Sequence, residues 1–183
     1  MKKIVIVGAL GYLGTELCKI YSGESWKNKI IALDNRFISE RVSQLNDWNI
    51  EFFQGHIFDK RFLKKHLSDA DVVHHLAGVT DVAYVKTEAN SELDQRIQSV
   101  AIEGTNNILN SIPKNCKIIF PSTHVVFEGF KVAKKNIKEN EKPKPLLMYA
   151  SSKAQNEKDI KKLSKNYVIL RLGSVYGYSL DTM

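Results

Sequence analysis

The stretch VGALGYLG, residues 7–14, stands directly behind the apolar run Ile4-Val5-Ile6 and carries glycines at three-residue spacing. A glycine turn between a buried strand and a helix limits the fold more than any other feature of the chain. In such a turn Gly8 ends the strand, Gly11 lets the backbone approach a pyrophosphate, and Gly14 lets the helix pack closely on the sheet. The helix N-terminus then faces the phosphates, where unpaired N–H groups and the helix dipole favour an anion. A ligand-free βα turn fits the same glycines, so a residue about twenty positions downstream carries the decision. Asp34 is that residue: it closes the run Lys29-Ile30-Ile31-Ala32-Leu33, where its carboxylate is placed to accept hydrogen bonds from ribose hydroxyls.

Short apolar runs and amphipathic stretches alternate along the rest of the chain. The pattern predicts strands over 3–7, 29–33, 50–54, 71–76, 117–120 and 167–172. It predicts helices over 11–22, 59–67, 91–111 and 148–163. Strands alternating with helices imply βαβ units, hence an α/β fold with a parallel sheet covered on both faces, and the unbroken Ile/Val runs suit strands buried on both sides. No stretch is rich enough in Pro, Gly and Ser to be a linker, so residues 1–183 are expected to form one domain.

The net charge of +7 raises the question of a nucleic-acid partner. Lysine far outnumbers arginine, and its densest stretch, 131–144, is interleaved with Glu139 and Glu141, which reads as a solvated loop. Base-reading arginines and stacking aromatics are missing, so no nucleic acid is expected. Cys18 and Cys116 are isolated and lack metal-ligand spacing, which suits core packing in a reduced compartment. Met1-Lys2-Lys3 and the apolar run imitate a leader peptide, yet the run passes into Thr15-Glu16 with no small-residue cleavage site. A cytoplasmic location is expected. No run approaches the roughly 18 apolar residues of a membrane span.

Chemistry is concentrated in YASSK, residues 149–153. On a helix Tyr149 and Lys153 are i and i+4 and share a face, and an ammonium beside a phenol favours the phenolate, the form useful as a general base. His66, His74 and His75 show no metal spacing and read as surface or sheet residues; no metal is expected.

The glycine spacing, together with GHIFD (55–59), HHLAG (74–78), EGTNNIL (103–109), PSTHVVFEG (121–129), YASSK and LRLGSVYG (170–177), resembles the extended short-chain dehydrogenase/reductase family, the nucleotide-sugar epimerases and dehydratases. The ordered set covers essentially the whole chain. The resemblance implies a doubly wound Rossmann sheet that binds NAD, with NADP disfavoured by Asp34, and a nucleotide-sugar substrate. It implies that Thr123 bonds the reacting sugar oxygen, Tyr149 moves the proton, and Lys153 holds the nicotinamide ribose and tunes Tyr149. It also implies cofactor contacts from Gly8, Gly11, Tyr12, Leu13, Gly14, Asp34, Asn35, Arg36, His56, Ile57, Leu76, Ala77, Gly78 and Leu172, besides Tyr149 and Lys153.

Departures from the family narrow the activity. Family dehydratases carry Asp-Glu straight after the catalytic Thr, where this chain has His124 and Val125; dedicated dehydration is not expected. His124 reads as structural. His56 replaces the usual Asp, removing a side-chain contact to the adenine amino group but leaving Ile57 to pack on the ring, and Ala101 replaces an Asn. STHVVFEG is also similar to a segment of keto-sugar reductases, and Arg36 is placed to pair with a 2′-phosphate. The expected activity is NAD-dependent epimerisation through a keto-sugar, with a keto-sugar reductase or a dinucleotide-binding module without turnover as alternatives. Family members continue for over a hundred residues past LRLGSVYG and build most of the sugar pocket there, so this chain is expected to hold the dinucleotide half of the site. Apolar surface left uncovered would favour self-association, a homodimer in the simplest case.

Overall fold

The computed structural model describes residues 1–79, 91–132 and 134–177. Its centre is a six-stranded sheet built from β1 (Lys2–Val7), β2 (Asn28–Asp34), β3 (Glu51–Gln54), β4 (Val72–His75), β5 (Lys117–Thr123) and β6 (Tyr167–Leu172), in the order β3-β2-β1-β4-β5-β6. Every pairing is parallel. The chain winds outward from β1 to β3, returns to β4 and winds outward again to β6. This doubly wound order opens a crevice beyond the carboxyl ends of β1 and β4, the place where such sheets bind ligands.

Side chains alternate between the two faces of the strands, and two cores result. Val5, Val7, Ile31, Leu33, Val73, Ile118 and Phe120 pack under α3 (Lys60–Leu67), α5 (Thr105–Ser111) and α6 (Met148–Leu163), which contribute Leu63, Leu67, Ile108 and Ile160. Ile4, Ile6, Ile30 and Ala32 face the other way, onto Cys18 of α1 (Tyr12–Ser22) and Leu45 of α2 (Ser39–Asp47). Both cysteines are buried, and burial pushes their thiols up to about 12 and about 11, which suits packing rather than reactivity.

Four features differ from the sequence expectation. Helix α2 was not legible: SERVSQLND is polar, and it buries only Arg41 and Leu45. The helix expected over 91–111 is α4 (Ser91–Ser99), a π-helical turn (Val100–Gly104) and α5. The turn sets Gly104 against Ile57, where a Cβ would collide with the isoleucine side chain. Strand β5 runs three residues beyond the expected end: it outruns β4, whose last pair is His74 with Ile119, and residues from Phe120 to Thr123 pair with β6 alone. His66 is neither a surface nor a sheet residue. It is buried on α3 between the rings of Phe53 and Phe62, and burial lowers its ring.

Candidate functional site

The glycine turn lies at the carboxyl end of β1, and its three glycines stand in different surroundings. Gly8 has φ +88° and comes so close to β4 that a Cβ would sit 2.6 Å from the Ala77 nitrogen. At Gly14 a Cβ would collide with the Gly8 carbonyl and the Ala9 backbone, so only glycine lets α1 lie this close to the turn. A Cβ on Gly11 would meet nothing nearer than 3.4 Å. The fold tolerates a methyl group there, so packing does not account for the bare backbone of Gly11. Gly11 is also the N-cap of α1, which has no side-chain cap and no acidic residue in its first turn. Such a helix start presents N–H groups to an anion.

Leu10, inside the turn, is held at both its polar groups. Its N–H donates to Asp34 Oδ2 at 2.9 Å, and its carbonyl accepts from the buried Arg41 of α2. Asp34 Oδ1 accepts from the Arg36 backbone at 3.0 Å and from Arg36 Nε at 3.3 Å. Three of the carboxylate's roughly four acceptor positions are thus in use, leaving about one for a ribose hydroxyl. Arg36 is exposed, and its guanidinium lies beside Gly11.

The neighbouring wall comes from β3 and β4. Ile57 is buried, its carbonyl accepting from Asn107 Nδ2 at 3.2 Å. His56 turns inward on its own loop, Nδ1 accepting from the Phe58 N–H at 3.2 Å. Leu76 donates its N–H to Val7, Ala77 abuts Gly8, and Gly78 opens onto free space. Tyr12 lies on α1 beneath Gly177, Leu13 is exposed on the same helix, and Asn35 is exposed while its carbonyl holds Gln54.

The second group stands at the ends of β5 and β6. Thr123 ends β5, buried; its Oγ1 accepts from the Val125 N–H at 3.3 Å and caps a 3₁₀ turn (His124–Phe127), which leaves the hydroxyl hydrogen to be donated. Because β5 outruns β4, the Pro121 carbonyl accepts from Lys153 Nζ at 2.9 Å. The Lys153 ammonium lies 4.5 Å over the Phe120 ring and 5.8 Å from the half-buried ring of Tyr149, one turn earlier on α6. Burial lowers it to about 8. His124 donates from Nδ1 to the Leu172 carbonyl at 3.2 Å, a structural bond that ties the turn to β6. The site residues expected from the sequence therefore lie along one edge of the sheet, in two groups on either side of β4.

A family model described as the RmlD substrate binding domain matches residues 1–182. The chain belongs to this family. It is 28% identical to dTDP-D-glucose 4,6-dehydratase of Dictyostelium discoideum over 97% of its own length and 44% of the relative's. It is also 28% identical to dTDP-4-dehydrorhamnose reductase of Aggregatibacter actinomycetemcomitans, over 97% of its own length and 53% of the relative's. Among solved structures, UDP-glucuronic acid 4-epimerase of Bacillus cereus in complex with UDP-glucuronic acid and NAD superposes with a TM-score of 0.77 at 27% identity, covering 96% of this chain and 57% of that one. This RmlD-family chain thus spans about half the length of the curated relatives it matches.

Sequence reasoning missed the ionic network behind Lys153. Glu157, one further turn along α6, is buried; it accepts from Ser122 Oγ at 2.6 Å and from Arg171 Nη2 at 2.7 Å. Burial alone would raise its carboxyl, but the bonds from Arg171 and Ser122 outweigh that and hold it below the usual range. Arg171 also donates to the Glu139 carbonyl at 3.1 Å. The available signal was the 149/153/157 spacing, which puts an acid on the face that carries the Tyr and Lys.

Proposed function

We propose that residues 1–183 form the NAD-binding domain of a nucleotide-sugar-modifying enzyme, and that the reaction is epimerisation through a keto-sugar. Binding of the pyrophosphate is supported by the uncapped start of α1 and the bare Gly11, and binding of the adenosine ribose by Asp34 at the end of β2. Ile57 packs on the adenine, and Leu76, Ala77, Gly78 and Leu172 line the path to the nicotinamide. When bound, NAD supplies the acceptor and donor of hydride. Thr123 donates its hydroxyl hydrogen to the reacting sugar oxygen. Tyr149 takes the proton of that hydroxyl as it becomes a carbonyl and returns it when the sugar is reduced again. Lys153 bonds the nicotinamide ribose and its charge favours the Tyr149 phenolate.

The observation that carries the reading is the placement of Lys153: an ammonium one turn from Tyr149, bonded to the Pro121 carbonyl two residues before Thr123. The similarity to a dTDP-4-dehydrorhamnose reductase, and the STHVVFEG segment, favour a second reading as a keto-sugar reductase. One assay separates the two. Nucleotide sugars are incubated with the protein and NAD, which an epimerase leaves at constant concentration, and in parallel their keto forms are incubated with reduced nicotinamide, of which a reductase consumes one equivalent per product over many turnovers. Epimerised sugar at constant NAD supports the first reading, and sustained reduction of keto-sugars with no epimerised sugar in the NAD arm overturns it.

A further inference from the structure

Glu128 follows the 3₁₀ turn that Thr123 caps, and it takes no part in the chemistry above. A single oxygen of its carboxylate, Oε1, accepts from the backbone N–H of Leu146 and of Leu147, each at 2.7 Å. Leu147 is the N-cap of α6, the helix that carries Tyr149 at its second position. Helix α6 has no side-chain cap of its own and no acidic residue in its first turn; from nineteen positions away Glu128 supplies negative charge at the helix start and an acceptor for the N-cap N–H, as the acid of a capping box does. The strap between is fixed at the same place: Lys144 N–H donates to the Val126 carbonyl and Gly129 N–H to the Lys144 carbonyl, both at 2.7 Å. At Gly129 a Cβ would collide with that carbonyl. The turn after Thr123 and the start of the Tyr149 helix are therefore one hydrogen-bonded unit, which the Glu128 side chain joins across.

We propose that Glu128 is a positioning residue: by clamping Leu146 and Leu147 it sets where Tyr149 stands relative to Thr123. The inference deepens the proposed function and rests on Tyr149 being the proton-transfer group. A displacement of about 1 Å at such a group can cost about 10²-fold in rate while binding contacts elsewhere persist.

The test uses the full chain with Glu128→Ala, Glu128→Asp and Glu128→Gln. Gln keeps a neutral acceptor oxygen at the same reach, whereas Asp keeps the charge and withdraws the oxygen by one methylene. Amide hydrogen exchange at Leu146 and Leu147 is followed together with the ring resonance of Tyr149, assigned through Tyr149→Phe in tyrosine-labelled protein. Ala and Asp are expected to speed exchange at both amides by about tenfold or more and to shift the Tyr149 resonance, with the α1 amides unchanged; Gln stays within about threefold of wild type. Where the chain turns over a nucleotide sugar, Ala lowers kcat by about 10- to 100-fold at nearly constant NAD affinity, and Gln restores it. In a chain without turnover the exchange and resonance measurements decide the clamp. Unchanged exchange and an unmoved Tyr149 signal in both Ala and Asp, or a Gln variant as disturbed as Ala, overturn the proposal.

Discussion

Asp34, at the end of β2, accepts the backbone N–H of Leu10 at 2.9 Å and so ties the second strand to the turn that follows the first. The same carboxylate is proposed to meet the adenosine ribose, so its removal acts twice. Asp34→Ala strands the buried Leu10 N–H and is expected to lower stability by about 1–3 kcal/mol in denaturant unfolding. It also narrows the preference for NAD over NADP. Arg36→Ala leaves the Leu10 bond intact, and in calorimetric titrations it is expected to weaken NADP binding by about tenfold while changing NAD binding little. Equal loss for both dinucleotides would remove Arg36 from the ribose end of the site.

Gly11 and Gly14 are expected to separate ligand binding from folding. A methyl group at Gly14 meets the Gly8 carbonyl and the Ala9 backbone, so Gly14→Ala lowers the melting temperature by about 5 °C or more. At Gly11 the methyl group has room in the fold but stands where the phosphates are proposed to approach, so Gly11→Ala is expected to melt near wild type and to bind NAD at least about tenfold more weakly. Identical behaviour of the two variants contradicts the assignment.

Tyr149→Phe keeps the ring and removes the hydroxyl. In a chain that turns over, it is expected to lower turnover by about 10² or more with nearly unchanged NAD affinity, whereas Lys153→Met harms both. Burial holds Lys153 to about 8, so its charge is lost as pH rises through that value. NAD affinity should weaken across the same range in the wild type and show a flatter profile in Lys153→Met.

Two buried histidines give the fold an acid limit. His75 is fully buried, its Nε2 bonded to Thr105 Oγ1 at 2.9 Å, and burial, with Lys153 nearby, pushes its ring down to about 3. Burial pushes His74, bonded to Tyr21, down to about 4. Below an ordinary histidine value of about 6.5 the unfolded chain binds protons that the folded chain does not, so stability falls as pH falls towards about 4. The loss expected over that window is several kcal/mol, read as a falling melting temperature. His75→Gln should flatten the slope, and a pH-independent melting temperature in the wild type would count against the buried, neutral imidazoles.

What the sequence revealed and what it hid have physical causes. Strands β1, β2 and β6 were legible because apolar residues in unbroken runs leave few alternatives, and α6 because its core-facing positions recur at helical spacing. Helix α2 was hidden because its core-facing set includes Arg41, whose guanidinium is buried and reaches the Leu10 carbonyl. Asp34 was legible as an acid at a strand end, but its bond to Leu10 was not, since that depends on how the turn folds back. Glu157 with Arg171, and Glu128 with Leu146 and Leu147, join residues fourteen to nineteen positions apart, and no local pattern announces such pairs.

The central claim is that this glycine turn holds a dinucleotide. Isothermal titration of the 183-residue chain with NAD measures it most directly. Saturable binding of one NAD per chain is expected, weakened at least about tenfold by Gly11→Ala in a variant that melts like the wild type. No binding by a folded chain, or binding indifferent to Gly11→Ala, would contradict it.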